Sequence, residues 1–122
     1  MKKYEIGDIV FVSKYNYDDG NAGKNHLFVI ISDDNKLVPI EYFGMLISSH
    51  IEKLKYKTNV KLNKTKKNGL RVDSIVKCDC IYEIPVKNIQ FKIGQVDIDD
   101  YIKFMEVYNK ILDDLSLEIE SI

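Results

Sequence analysis

The sequence predicts a mainly β fold closed by a C-terminal helix, an α+β domain built as a small, curved antiparallel sheet or open barrel. Three segments carry that prediction. Leu27 to Ser32 (LFVIIS) is a continuous apolar run of strand length, rich in β-branched residues, the pattern of a strand buried on both faces. Asp73 to Ile84 alternates, with Val76, Cys78, Cys80, Tyr82 and Ile84 on one face and Lys77, Asp79 and Glu83 on the other, as a half-buried strand does. Tyr101, Phe104, Met105, Tyr108, Ile111, Leu112 and Leu115 recur at helical spacing, making an apolar stripe for a core or a dimer contact.

The other elements fall between these. Gly7 opens a first strand, Asp8 to Ser13. Lys14 to Asn25 is polar, contains Asp18-Asp19-Gly20 and Gly23, and reads as a loop long enough to carry function. Asp33-Asp34-Asn35-Lys36 is a turn that makes a hairpin into Leu37 to Tyr42. Gly44 breaks or bulges that strand, and Met45 to Ser49 continues it. Thr58 to Leu62 is a short strand, and Asn63 to Gly69 is a basic loop ending in glycine. Pro85 ends the Asp73 strand. Asp97 is placed as a helix N-cap, Val96 and Tyr101 as a hydrophobic staple, and the following acids sit where the helix dipole favours them. No repeat or linker divides the chain, so residues 1–122 are read as one domain with one core.

The net charge of −1 supplies no global attraction for nucleic acid; any attraction must be local. From Glu52 to Arg71 eight cations (Lys53, Lys55, Lys57, Lys61, Lys64, Lys66, Lys67 and Arg71) face a single acid. From Asp97 onward the balance is acidic. The plain reading of both stretches is solvated faces. The end of the chain, Asp113 to Ile122, is either an interaction arm or, by the alternation of Leu115, Leu117 and Ile119, an added strand. Cys78 and Cys80 lie two apart, ~6.8 Å along a strand, which suits no disulfide, and two further metal ligands at zinc spacing are missing. Both read as buried thiols in a reducing compartment. No apolar run approaches the ~20 residues of a membrane span, and Met1 to Ile6 has no signal-peptide core. The expectation is a soluble cytoplasmic protein without cofactor or metal.

No Walker loop, Rossmann glycine pattern, nucleophile elbow or HExxH is present. The chemistry-bearing residues are few. His26 and His50 each sit at a predicted strand end and titrate near neutrality, as an acid and base in RNA cleavage would; unrelated surface histidines are the competing reading. Lys77 and Asp79 share one polar strand face. A carboxylate there would take the proton of a ribose 2′-hydroxyl, and a lysine beside it would stabilise the charge that develops on phosphorus; a surface salt bridge is the competing reading.

The segment Gly69 to Ile84, GLRVDSIVKCDCIYEI, resembles the "G-x-x-x-x-S/G-V-V-R-C-D-Q-x-x-T-I" stretch of the PemK/Kid branch of MazF-like toxins. Gly7-Asp8-Ile9-Val10 is similar to their opening strand, Gly23 to Ile30 to their "G-x-R-P-V-L-V-I", and Ile47 to Lys53 to their "I-T-S/A-Q-I-x-K". Val86 to Ile89 and the helix match the close of that family. The resemblance covers most of the chain in order.

It implies an SH3-like small barrel of the MazF/PemK type that forms a homodimer. It also implies a toxin that cleaves single-stranded RNA without metal, by attack of the 2′-hydroxyl, and is restrained by an antitoxin with an acidic segment. Residue by residue, Asp79 falls on the general base, Lys77 on the arginine that acts as acid or phosphate stabiliser, and Ser48 on a threonine hydroxyl at the scissile phosphate. His26 is a further candidate acid or stabiliser. Lys24, Asn25, His50, Lys53 and Lys55 are the expected RNA-binding residues. The departure is at Asn25-His26, where the family has Arg-Pro. The rival reading is therefore a non-catalytic RNA- or protein-binding module on the same barrel.

Overall fold

The computed structural model describes residues 2–13 and 24–120. The loop expected around Asp18-Asp19-Gly20 and Gly23 lies outside the described residues. Seven strands form one antiparallel sheet: β1 (Asp8–Val12), β2 (His26–Asp33), β3 (Glu41–Ser48), β4 (Asn59–Leu62), β5 (Ser74–Lys77), β6 (Tyr82–Pro85) and β7 (Ile89–Gln95). A 3-10 turn, Ile51–Lys55, precedes β4, and another, Val86–Asn88, precedes β7; helix α1 (Ile98–Glu120) ends the fold. The strand order is β4-β5-β3-β2-β1-β7, and β6 also pairs with β3. The expected mainly β architecture with a C-terminal helix is the one found, and among the described residues strand pairing does not close the sheet.

The apolar patterns dictate two cores. β2 is buried on both faces, as expected: Val29 and Ile31 join one cluster with Ile9, Met45, Ile47, Val76 and Phe104, while Phe28 and Ile30 join another with Tyr4, Val10, Val12, Tyr42 and Ile84. Helix α1 covers the first cluster through Phe104, which is fully buried, with Tyr101, Met105, Val107 and Tyr108 around it. Truncating such a residue costs about 3–5 kcal/mol.

Several expectations are corrected. The Asp73–Ile84 strand is two strands laid along the same edge of β3. Ile47 pairs with Val76 and Gly44 with Tyr82, so six residue steps oppose three. The three extra residues loop out, and an odd excess turns the chain over. Val76 and Cys78 face the first core, whereas Tyr82 and Ile84 face the second. Asp79 lies in the turn rather than on a regular strand, and Cys80 is exposed rather than buried. The strand expected from Leu37 begins only at Glu41, because the Asp34 carboxylate accepts the N–H groups of Lys36 (3.0 Å), Ile40 and Glu41 (both 3.1 Å) and holds that segment as a turn. Gly44 does not break β3; the irregularity lies on β2, between Ile30 and Ser32. Ile89–Gln95, not expected as a strand, is β7. The alternating end of the chain is helical through Glu120, with Leu112, Leu115, Leu117 and Ile119 exposed, so the added-strand alternative is excluded and those residues belong to no core of this chain.

Asp97 stands just before α1. Its carbonyl accepts the Tyr101 N–H at 3.1 Å, and its carboxylate meets Lys67 Nζ at 2.5 Å. Among the described residues no helix is long and apolar enough to cross a membrane.

Candidate nucleic-acid interface

One lateral row of the sheet explains where the main groove lies. The pairings place Phe91 opposite Phe11, Phe11 opposite Leu27, Leu27 opposite Ile47, and Ile47 opposite Val76. Residues paired across antiparallel strands share a face, so this row carries the first core out to the surface. A groove of ≈ 720 Å³ opens over it. Its apolar floor includes Phe11, Leu27, Ile47, Leu70, Phe91 and Ile93. Its polar wall includes Asn25, His26, Ser48, Ser49, His50, Lys53, Arg71, Ser74 and Lys77, and no aspartate or glutamate is among the described residues that line it.

Each polar group is placed by a strand end. His26 is the first residue of β2, opposite Val12, with its ring edge-on to Phe28 at 6.2 Å. Ser48 ends β3, where its Oγ accepts the His50 N–H at 3.2 Å. Lys77 ends β5, opposite Asn59. Arg71 is held by the loop before β5. Asn68, buried, accepts the N–H groups of Thr65 (2.9 Å) and Leu70 (3.0 Å) and donates through its side-chain amide to the Asn63 carbonyl (2.8 Å).

Partial burial, followed by the charges of Lys24 and Lys77, holds the His26 imidazole below its ordinary 6.5. It is therefore neutral at pH 7 and able to accept a proton. His50 is exposed, and its Nδ1 stands 3.2 Å from Glu52 Oε1. The buried Cys78 thiol is pushed up to about 12 by burial and then by the Asp79 charge, so it is not a nucleophile near neutrality. Among the described residues no group of three or more His, Cys, Asp or Glu is placed to hold a metal ion.

Of the residues expected to act on RNA, His26, Ser48, Lys77, Asn25, His50 and Lys53 line this one groove. Lys24 is exposed beside it and acts on His26 through its charge. Lys55 is not in the lining and lies 5.4 Å over the Tyr56 ring. Asp79 is exposed in the turn after β5 and is not in the lining either. Of the cations of the basic Glu52–Arg71 stretch, Lys53 and Arg71 are the ones that line the groove, and Lys67 is tied to Asp97. Sequence reasoning includes Arg71 only as the last of the eight cations of the basic stretch, and it does not assign Phe11 or Phe91 to the site. For Arg71 the available signal is that it is the only arginine of the chain.

Residues 5–112 match the family described as PemK-like, MazF-like toxin of type II toxin-antitoxin system. The chain belongs to this family. A PemK/MazF-like toxin is a component of a toxin–antitoxin system, and the open sheet with its terminal helix is the fold of that family. The Mycobacterium tuberculosis toxin MazF-mt6 superposes with a TM-score of 0.65 at 19% identity, over 87% of this chain and 96% of that one; at that identity the likeness is one of fold. No curated protein matches the sequence.

Proposed function

We propose that this PemK/MazF-like toxin is an endoribonuclease that binds single-stranded RNA in the groove and cleaves it by 2′-hydroxyl attack, without a metal. The observation that carries the reading is the groove's lining: among the described residues, three fixed cations (Lys53, Arg71 and Lys77), two histidines, three serines and no carboxylate. Such a surface gathers phosphates. His26 takes the 2′-hydroxyl proton. The 2′-oxygen bonds to phosphorus, the bond to the 5′-oxygen breaks, and that oxygen picks up a proton. The products are a 2′,3′-cyclic phosphate and a 5′-hydroxyl. Lys77 and Arg71 stabilise the charge on the phosphoryl oxygens, and the Ser48 hydroxyl positions the phosphate. Arg71 supplies the planar fork that the family has at the Asn25 position. The antitoxin's acidic segment would compete for the same cations, and the working unit would be a homodimer, tested by gel filtration at several concentrations.

The test is incubation of a long mixed-sequence RNA with the protein in EDTA, beside His26→Gln and Asp79→Asn. Fragments ending in a cyclic phosphate, lost in His26→Gln and retained in Asp79→Asn, support this assignment. Loss in Asp79→Asn alone returns the proton to the residue that the resemblance favours. The position of Asp79 outside the lining favours a second reading, a module that binds RNA without cutting it. Intact RNA that is nonetheless gel-shifted would establish that one.

A further inference from the structure

Phe11 and Phe91 form a flat aromatic step at one side of the groove. They are directly paired across β1 and β7, with ring centroids 5.0 Å apart and planes within 8° of parallel. Both line the groove, yet Phe91 is left 52% exposed. An aromatic ring left half exposed on a strand gains only part of the burial that folding could give it. The neighbours fix its direction. Lys92 turns away to meet the buried Asp8 at 3.0 Å, and Gln90 Nε2 donates to Ser13 Oγ at 3.0 Å across the two strands.

We propose that the Phe11–Phe91 step is a base-stacking subsite, taking one unpaired nucleobase of the RNA whose phosphates lie on Lys53, Arg71 and Lys77. This rests on the ribonuclease reading and adds where a base is held. A nucleobase is favoured over an apolar protein side chain because the described residues of the same groove include three fixed cations and no carboxylate. Stacking on a preformed aromatic is tolerant of base identity, so the subsite anchors the strand and leaves sequence choice to the groove's polar wall.

The chain contains no tryptophan, which makes Phe91→Trp a single fluorescent reporter. The probe is a short single-stranded oligonucleotide with 2′-O-methyl sugars, which cannot be cleaved by 2′-hydroxyl attack. Its binding quenches the indole fluorescence of the Phe91→Trp variant, and an abasic site at one position of the oligonucleotide abolishes the quench. Phe91→Ala weakens binding of the intact oligonucleotide about 10-fold and leaves the salt dependence unchanged, and the abasic penalty disappears in that variant. Tight binding by the wild type with no quench in Phe91→Trp, or an abasic penalty that persists in Phe91→Ala, would overturn the subsite and leave the ribonuclease reading standing. Quenching by an acidic peptide but not by the oligonucleotide would overturn it in favour of a protein occupant. Failure of the wild type to bind any single-stranded RNA would overturn both.

Discussion

A Cβ on Gly94 would overlap the Asn68 carbonyl, so the backbone of β7 and the loop that carries Arg71 are packed directly on each other. Gln95 N–H reinforces the contact by donating to the Lys67 carbonyl at 3.1 Å. Glycine is required here because no side chain can give way; the obstacle is backbone. Gly94→Ala is expected to destabilise the protein by about 2–4 kcal/mol, read as a lower urea midpoint. Because the loop must move, the variant is also expected to lose RNA affinity as Arg71→Ala does, measured on the fraction that remains folded.

The His26 imidazole is held below its ordinary value by partial burial and by the charges of Lys24 and Lys77. Removing one of those charges relieves the repulsion on the protonated ring. Lys77→Met is therefore expected to raise the His26 pKa, seen directly as an upward shift of its proton NMR titration. The acid limb of the cleavage profile should move to higher pH with it. A titration that stays in place would show that Lys77 does not act on this ring.

Electrostatic contact with single-stranded RNA has a characteristic salt signature. Each neutralised phosphate contributes about −0.7 to the slope of log K against log salt. Lys53, Arg71 and Lys77 together predict a slope of about −2, and Arg71→Ala is expected to reduce it by about 0.7. Filter-binding titrations at several salt concentrations measure both.

Away from the groove, the carboxyls of Glu41 on β3 and Glu83 on β6 share a hydrogen bond. Glu41 is raised above its usual 4.5, by burial first and then by the Glu83 charge and that bond. Its Oε2 is buried without a hydrogen-bond partner among the described residues. For a carboxyl whose folded pKa is raised, folding favours the protonated form. The stability it contributes is present below about pH 4.5 and is lost as pH rises through the folded value. Glu41→Gln is accordingly expected to raise the unfolding midpoint at pH 7, with the gain shrinking as the pH falls through the folded value towards 4.5 and gone below it. Thermal scans across that range give the result.

What can be read in the sequence follows from what is periodic. β2 and α1 announce themselves because each keeps one pattern over its whole length. The Asp73–Ile84 segment also keeps a pattern, and there the pattern misleads: three looped-out residues are invisible to an alternation count, which puts Cys80 inside and Asp79 on a strand. β7 carries its own signal, Ile89, Phe91 and Ile93 alternating with Gln90 and Lys92, beside the more conspicuous helix. His26 is legible as a candidate because it stands at a predicted strand end, Lys77 because it is on a polar strand face, and Ser48 only through the resemblance; the structure places all three in the lining of the groove. Arg71 is not legible as a site residue, because its place depends on Asn68 holding a loop whose hydrogen bonds are not periodic at all.

The split of that long segment into β5 and β6 has a bearing on how its length can vary between relatives. The turn between the two strands also inverts the chain, sending Val76 to one core and Ile84 to the other. Whether it inverts depends only on whether the number of extra residues is odd or even. Relatives that keep both cores can therefore lengthen or shorten this turn by two residues at a time. A change of one would present the polar side of β6 to the second core, so indels of one residue should be selected against here even though the turn itself lies at the surface.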